Sequence, residues 1–320
     1  MNIAPIPEDS WTTDELKNQE EIAKVLVEAL GGAKPHPISA KNAMFALPES
    51  VIFTGTFSVP TLSAKELAQA LPFQVAEKLS INLEDYFVDY EISSSRCTPL
   101  KDGEHRVSPP EDKTKKTTAK AGPKPDLPPN EGAKTETAVF AVAAKKTLVH
   151  SIIDLCHLAK LELAGIDIKP GAIARSIVST KDLLMRLIID LGASSTVVIV
   201  SEGQSPHLTS SIPIGTMAFA EQPDGLDQFK LVAGPIFDEL VHVTKFYENR
   251  ICPGQKVSEI ILTGGGANIK GIDQLFSQQT GLPTKLGHPF GQVEAPNYPI
   301  KRELELRFAD AVGLAMRSIR

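Results

Sequence analysis

Cysteine is scarce in these 320 residues: Cys97, Cys156 and Cys252 are far apart, odd in number and without CxxC spacing. No zinc site or disulfide framework follows from them, and a reducing cytosol is the natural setting. The seven histidines fall into no HxxH or HExxH pattern, so the sequence supports no histidine metal site. Aromatic residues make up only 6%, and Lys+Arg 33 against Asp+Glu 39 leaves a net charge of −6. Few stacking surfaces and a mild acidic excess argue against a nucleic-acid binder. No apolar stretch approaches the ~20 residues that cross a bilayer. The longest candidate, near residues 183–189, is broken by Arg186 and followed by Asp190. The first nine residues have no basic segment followed by an apolar one, so no signal peptide is expected. Glycine is also missing at the front, where the first is Gly31.

What is present is enough for a packed core. Hydrophobic content is 42% and charged content 22%, and the length suits two domains or one domain with an insertion. Leu16, Ile22, Val25, Leu26 and Leu30 recur at helical spacing, predicting a helix that opens near residue 13 and ends at Gly31-Gly32. Strands are expected at 42–47, 51–60 and 86–92. Ser63 and Glu66 form a capping box for a helix that Pro72 should kink or split. Residues 97–136 hold seven prolines and no aromatic residue. They cannot bury enough apolar surface to offset chain entropy, so a disordered loop between two pairing strands is expected. Beyond it the pattern predicts a strand at 137–143, a helix at 145–161, a strand at 163–168 closed by Lys169-Pro170-Gly171, and a helix at 172–180. A strand at 206–214, one long helix at 229–247 and a closing helix at 309–319 complete the chain.

Two glycine-bearing turns carry most of the chemistry. Leu187 to Val200 reads as a strand, a turn at Asp190-Leu191-Gly192-Ala193, and a returning strand. Ile260 to Leu262 leads through Thr263 into Gly264-Gly265-Gly266-Ala267 and a helix. Where a Cβ is absent, backbone N–H groups can approach phosphate closely. Each turn also has a purely structural reading, as a hairpin or as a strand-to-helix connection. Within the triple glycine, Gly265 is expected to need either a positive φ or the absence of a Cβ.

In order along the chain, Ala46-Leu47-Pro48-Glu49-Ser50, Ser63 to Ala68, Asp89-Tyr90, the Asp190 turn, the Gly264 turn and Phe308 to Ala315 resemble the PilM family. These are actin-like proteins of the type IV pilus inner-membrane platform. The likeness covers nearly the whole chain except 97–136. It implies an α/β, actin-like (ribonuclease H-like) bilobed fold with a small inserted α/β subdomain. The expected division is a first lobe at 1–60, the inserted subdomain at 61–168, and a connecting helix at 169–186. A second lobe at 187–308 and a closing helix at 309–320 follow.

The resemblance also implies ATP and Mg2+ in the central cleft. Asp190 would face the magnesium through water. Gly192, Ser194, Ser195 and Thr196 would donate to phosphate, and Gly264, Gly265, Gly266 and Ala267 would pass close to the adenosine and α-phosphate. Glu239 lies where actin-like proteins place an acid on the ribose, although a solvated helix face is an equal reading of it. His242 stands where the family has Arg or Lys, and Gly215-Thr216 where it has paired glycines.

The implied partner is the cytoplasmic N-terminal tail of a PilN-like membrane protein, docking near the inserted subdomain. That places the chain in the cytoplasm, at the inner membrane through its partner and without inserting itself, with self-association left open. The first phosphate hairpin of actin-like proteins is missing from the front of the sequence, so weak ATP turnover is expected and no catalytic residue is assigned. The competing readings are an FtsA-like division protein, which should carry a membrane helix at its end, and a kinase-like phosphotransferase, which should carry an acidic base beside a first phosphate loop.

Overall fold

The computed structural model describes residues 1–7, 10–60, 64–92, 136–217, 222, 224–293 and 300–317. The capping residue Ser63 and residues 97–135 of the expected loop lie outside this set. In chain order the elements are α1 (Gln19–Gly31), β1 (Asn42–Leu47), β2 (Ile52–Pro60), α2 (Ala64–Leu79), β3 (Tyr86–Ile92), β4 (Glu136–Lys145), α3 (Lys146–Leu158), β5 (Glu162–Ile168), α4 (Lys169–Ile177), β6 (Met185–Leu191), β7 (Thr196–Glu202), β8 (Ser205–Ile212), α5 (Gly225–Val232), α6 (Gly234–Phe246), β9 (Glu259–Thr263), α7 (Ile272–Thr280), β10 (Thr284–Leu286), α8 (Arg302–Glu305) and α9 (Ala309–Ala315).

The strands form three sheets. The largest has the order β10-β9-β6-β7-β8, with β6–β7–β8 antiparallel and β9 and β10 added in parallel. Every residue of β6 and β7 is buried, as their near-continuous apolar runs require. Alternation sends Leu187, Ile189, Val198 and Val200 to one face, against Ile236 and Leu240 of α6 and Phe276 of α7. Ile188, Val197, Ile199 and Ile261 face the other way, against Ile173 and Ala174 of α4 and Ala309 of α9.

The second sheet, β2-β4-β3, is antiparallel and packs Val59, Val139 and Ala141 on Leu67, Leu71 and Val75 of α2. The strands on either side of the 97–136 segment therefore do pair. The third is the parallel pair β1-β5, backed by α1 and α3.

Several boundaries differ from the expected ones. The first helix starts at Gln19, because the segment before it folds back: Trp11 bridges Leu16, and Leu16 N–H donates to Ser151 Oγ at 2.9 Å. Pro72 does not split α2, whose Leu71 and Val75 are fully buried on either side of it. The single helix expected at 229–247 is two, α5 and α6, divided at Ala233 with Pro235 in the first turn of α6, where its missing N–H costs nothing. Lys169-Pro170-Gly171 is not a turn before a helix but the first turn of α4, by the same use of proline. Sheet membership also cuts across the expected divisions at 60 and 168. β2 belongs with β3 and β4, while β5 pairs with β1. Cys156 is a buried free thiol, and Cys97 lies outside the described residues.

Candidate functional site

Three turns nest at one end of the large sheet. The β6–β7 hairpin closes with Gly192 N–H on Ser195 O at 3.0 Å. The chain leaving β8 docks on it, with Thr216 N–H on Gly192 O at 3.0 Å and Met217 N–H on Ala193 O at 3.1 Å. The turn after β9 lies against both, and its Gly264 N–H reaches Leu306 O at 3.1 Å. Gly264 has φ +83°, and a Cβ there would stand 2.5 Å from Asp190 Oδ1 and 2.6 Å from Leu191 O. A Cβ on Gly215 would meet Ala193 O at 2.0 Å, and one on Gly266 would meet Thr216 Oγ1 at 2.5 Å. Gly265, in contrast, has only Arg307 Cγ at 3.9 Å near its Cβ position and no positive φ. The conformational demand expected at Gly265 therefore falls on its two neighbours.

Beside these turns lies a cleft of about 790 Å³. Its other wall comes from α4 and α9, which cross in very close contact: a Cβ on Gly313 would stand 1.7 Å from Ala172 O. Arg175 Nη1 secures the crossing by donating to Gly313 O at 2.7 Å. Lys169 and Asp310 each precede the crossing by three residues, about one helical turn, so both arrive at the cleft. Lys169 Nζ sits 2.6 Å from Asp190 Oδ2. This ion pair is the contact that Asp190 Oδ2 makes in a site where Asp190 is only 4% exposed. Burial by itself would lower the pKa of Lys169, but the Asp190 carboxylate outweighs it and the net shift is upward. Burial raises the pKa of Asp310, and neighbouring Lys169 only partly offsets this.

Of the residues expected at a nucleotide site, Asp190, Gly192, Gly264 and Gly265 line the cleft. Gly215 and Gly266 act one layer behind, as the points where the turns touch. Ala267 is buried in the core beneath. Thr196 is fully buried and spends its hydroxyl on Ile214 O at 2.8 Å, which corrects its expected role as a phosphate donor. Ser194 and Ser195 are not on the cleft lining. Glu239 is also displaced from its expected role: α6 turns Ile236, Leu240 and Val243 into the core, and Glu239 accepts from Ser210 Oγ of β8 at 2.7 Å, away from the cleft. His242 stacks on Phe246 of its own helix.

Sequence reading missed Lys169, Arg307 and Asp310 as cleft residues. The available signal was a glycine inside the closing helix, which marks a close helix crossing. At Asp190, where magnesium was expected, the carboxylate faces the Lys169 ammonium, so a cation there would meet a like charge and the donor set does not favour it.

A second groove, of about 460 Å³, opens between the three-stranded sheet and the lobes. Phe87, Phe140, Val142 and Ile166 give it apolar walls, and Arg175 and Arg317 stand at its rim. Both arginines share Asp167 Oδ2, at 2.8 and 3.1 Å. Among the described residues β3 is an outer strand of its sheet, with β4 on one side only. The groove borders the inserted subdomain, near which the implied partner tail was expected to dock.

A sequence model of the family described as type IV pilus assembly protein PilM matches residues 236–319. No curated protein matches the chain in sequence. Among solved structures, the PilM-PilN type IV pilus biogenesis complex is similar at TM-score 0.73 and 18% identity, over 99% of this chain and 90% of that one. The cytoplasmic domain of EpsL, an inner-membrane component of the type II secretion system of Vibrio cholerae, gives 0.41 and 11%, over 93% and 85%. MreB5 of Spiroplasma citri bound to ADP gives 0.38 and 14%, over 53% and 64%. The α/β fold expected from the sequence is thus shared with the PilM-PilN complex structure, and the C-terminal quarter matches the pilus assembly family that the motifs resemble.

Proposed function

We propose that the chain is a cytoplasmic scaffold of a type IV pilus inner-membrane assembly platform, or of a related type II secretion platform. In this reading the cytoplasmic tail of a PilN-like membrane protein docks in the groove beside the three-stranded sheet and holds the chain at the inner membrane. The observation that carries it is the match of residues 236–319 to the pilus assembly family. The groove supports it with apolar walls, a charged rim and the open edge of β3, which suit an extended peptide. No helix among the described residues is long and apolar enough to cross a membrane, so membrane contact is assigned to the partner.

The cleft is assigned to a nucleotide of the ATP type, held by the Asp190 and Gly264 turns with Lys169. Weak turnover, the expectation drawn from the sequence, is kept as part of this reading. Nucleotide then acts on conformation more than as fuel. The two lobes and the inserted subdomain are retained as functional divisions, with β2 moved into the inserted subdomain.

The test uses the full chain and an immobilised peptide of the PilN-like cytoplasmic tail. Capture should be lost on Phe87→Asp, whose side chain is 47% exposed, in a variant that circular dichroism shows to be folded. Capture should persist on Val241→Asp, on the far helix α6. The reverse pattern would move the peptide site to the second lobe and overturn the assignment.

A further inference from the structure

We infer that Lys169 takes the place of a divalent cation in the cleft, so that a phosphate-bearing anion is held there without metal. The inference rests on the nucleotide reading of the cleft and goes beyond it in naming how the ligand's charge is met.

The geometry comes from the helix crossing. Gly313 and Ala172 bring α4 and α9 into backbone contact, which sets the first turn of α4 beside the β6–β7 turn, and Lys169 lies 2.6 Å from Asp190 Oδ2. A cation coordinated at or bridged to that carboxylate would lie within a few ångströms of the ammonium, and like charges in a half-buried site repel strongly. The same ammonium serves an anion well. It has three N–H donors, and Asp190 takes at most part of that capacity, leaving donors for the cleft. The charges lining the cleft are Lys169, Lys301 and Arg307 against Asp190, Glu303 and Asp310. With every one ionised they cancel, so a phosphate added here meets no net negative field even before a metal is supplied.

The experiment measures ADP binding by isothermal titration to the full chain, in EDTA and in excess Mg2+, beside Mn2+ binding to the ligand-free chain by electron paramagnetic resonance. The expected result is an ADP affinity that agrees within about threefold between the two conditions. Lys169→Gln should lose at least about tenfold in EDTA and recover with Mg2+. Mn2+ should leave the wild-type cleft unoccupied and bind Lys169→Gln in a manner abolished by also changing Asp190→Asn.

A wild-type gain above tenfold with Mg2+ overturns the inference and leaves the nucleotide reading standing. If ADP binds in neither condition, the nucleotide reading fails, and the Mn2+ arm decides alone. Mn2+ held by the wild type and released by Asp190→Asn overturns the role given to Lys169, and Mn2+ bound only once Lys169 is replaced upholds it. Should Lys169→Gln fail to fold, the wild-type comparison with and without Mg2+ still decides.

Discussion

The five-stranded sheet and the two-stranded pair β1-β5 show how differently two parts of one fold can be specified. In the first, β6 and β7 are buried at every position and their apolar runs are continuous. In the second, only Leu47 of β1 is fully buried, and β5 has no fully buried residue. A central strand covered on both faces states its place through composition alone. A two-stranded parallel pair depends on whatever packs beside it, here α1, α3 and the folded-back segment at Trp11 and Leu16. The large sheet is therefore legible in isolation, and the small pair is defined by its surroundings.

α4 joins the two regions, and the sharpest way to break the contrast is at its crossing with α9. Gly313→Val places side-chain atoms where Ala172 O already sits, and overpacking of backbone against backbone should cost about 3 kcal/mol. Urea unfolding measures this. Gly234→Ala, with nothing within 4 Å of its Cβ position, is the control and should leave stability within about 0.5 kcal/mol. Equal effects of the two changes would mean that the crossing is looser than it stands.

A smaller loss is expected from Gly264→Ala, where a φ of +83° and the nearby Asp190 Oδ1 combine. About 2 kcal/mol is the scale for such strain. The same change at Gly265 should have little effect on stability, which a paired thermal melt would show.

The smallest effect is a pH slope where the three-stranded sheet meets β8. Glu49 accepts there from both Thr54, at 2.9 Å, and Thr209, and its other oxygen has no hydrogen-bond partner. Burial raises its pKa, against the lowering by the two threonine hydroxyls. The folded state thus holds this proton more firmly than the unfolded one. Its contribution to stability is present at acid pH and lost as pH rises from the ordinary carboxylate range, near 4.5, through the raised folded value. Stability of Glu49→Gln should lack that decline, and parallel pH profiles of the two proteins would show that Glu49 is solvated as usual.

Much of the fold could be read from the chain. Strands at 42–47 and 86–92, the Asp190 hairpin and the strand–turn–helix at Gly264 all stand where periodicity and glycine chemistry put them. Errors gathered where proline has two meanings. Pro170 read as closing a strand but opens α4, Pro235 fell inside one expected helix but opens α6, and Pro72 sits inside a helix that core contacts sustain. Site residues divided in the same manner. Asp190, Gly192 and Gly264 belong to local turns and were visible, whereas Lys169 and Asp310 reach the cleft only through contact between α4 and α9, 138 positions apart at the Arg175–Gly313 bond.

By itself the sequence determined the buried strands, the glycine turns and the lack of any membrane-length apolar run, because each is written in neighbouring residues. Only the tertiary structure decided which of these groups meet. A carboxylate that the family resemblance assigns to a metal faces an ammonium from another element, since the partner of a buried charge is chosen by packing across the chain and not by spacing along it.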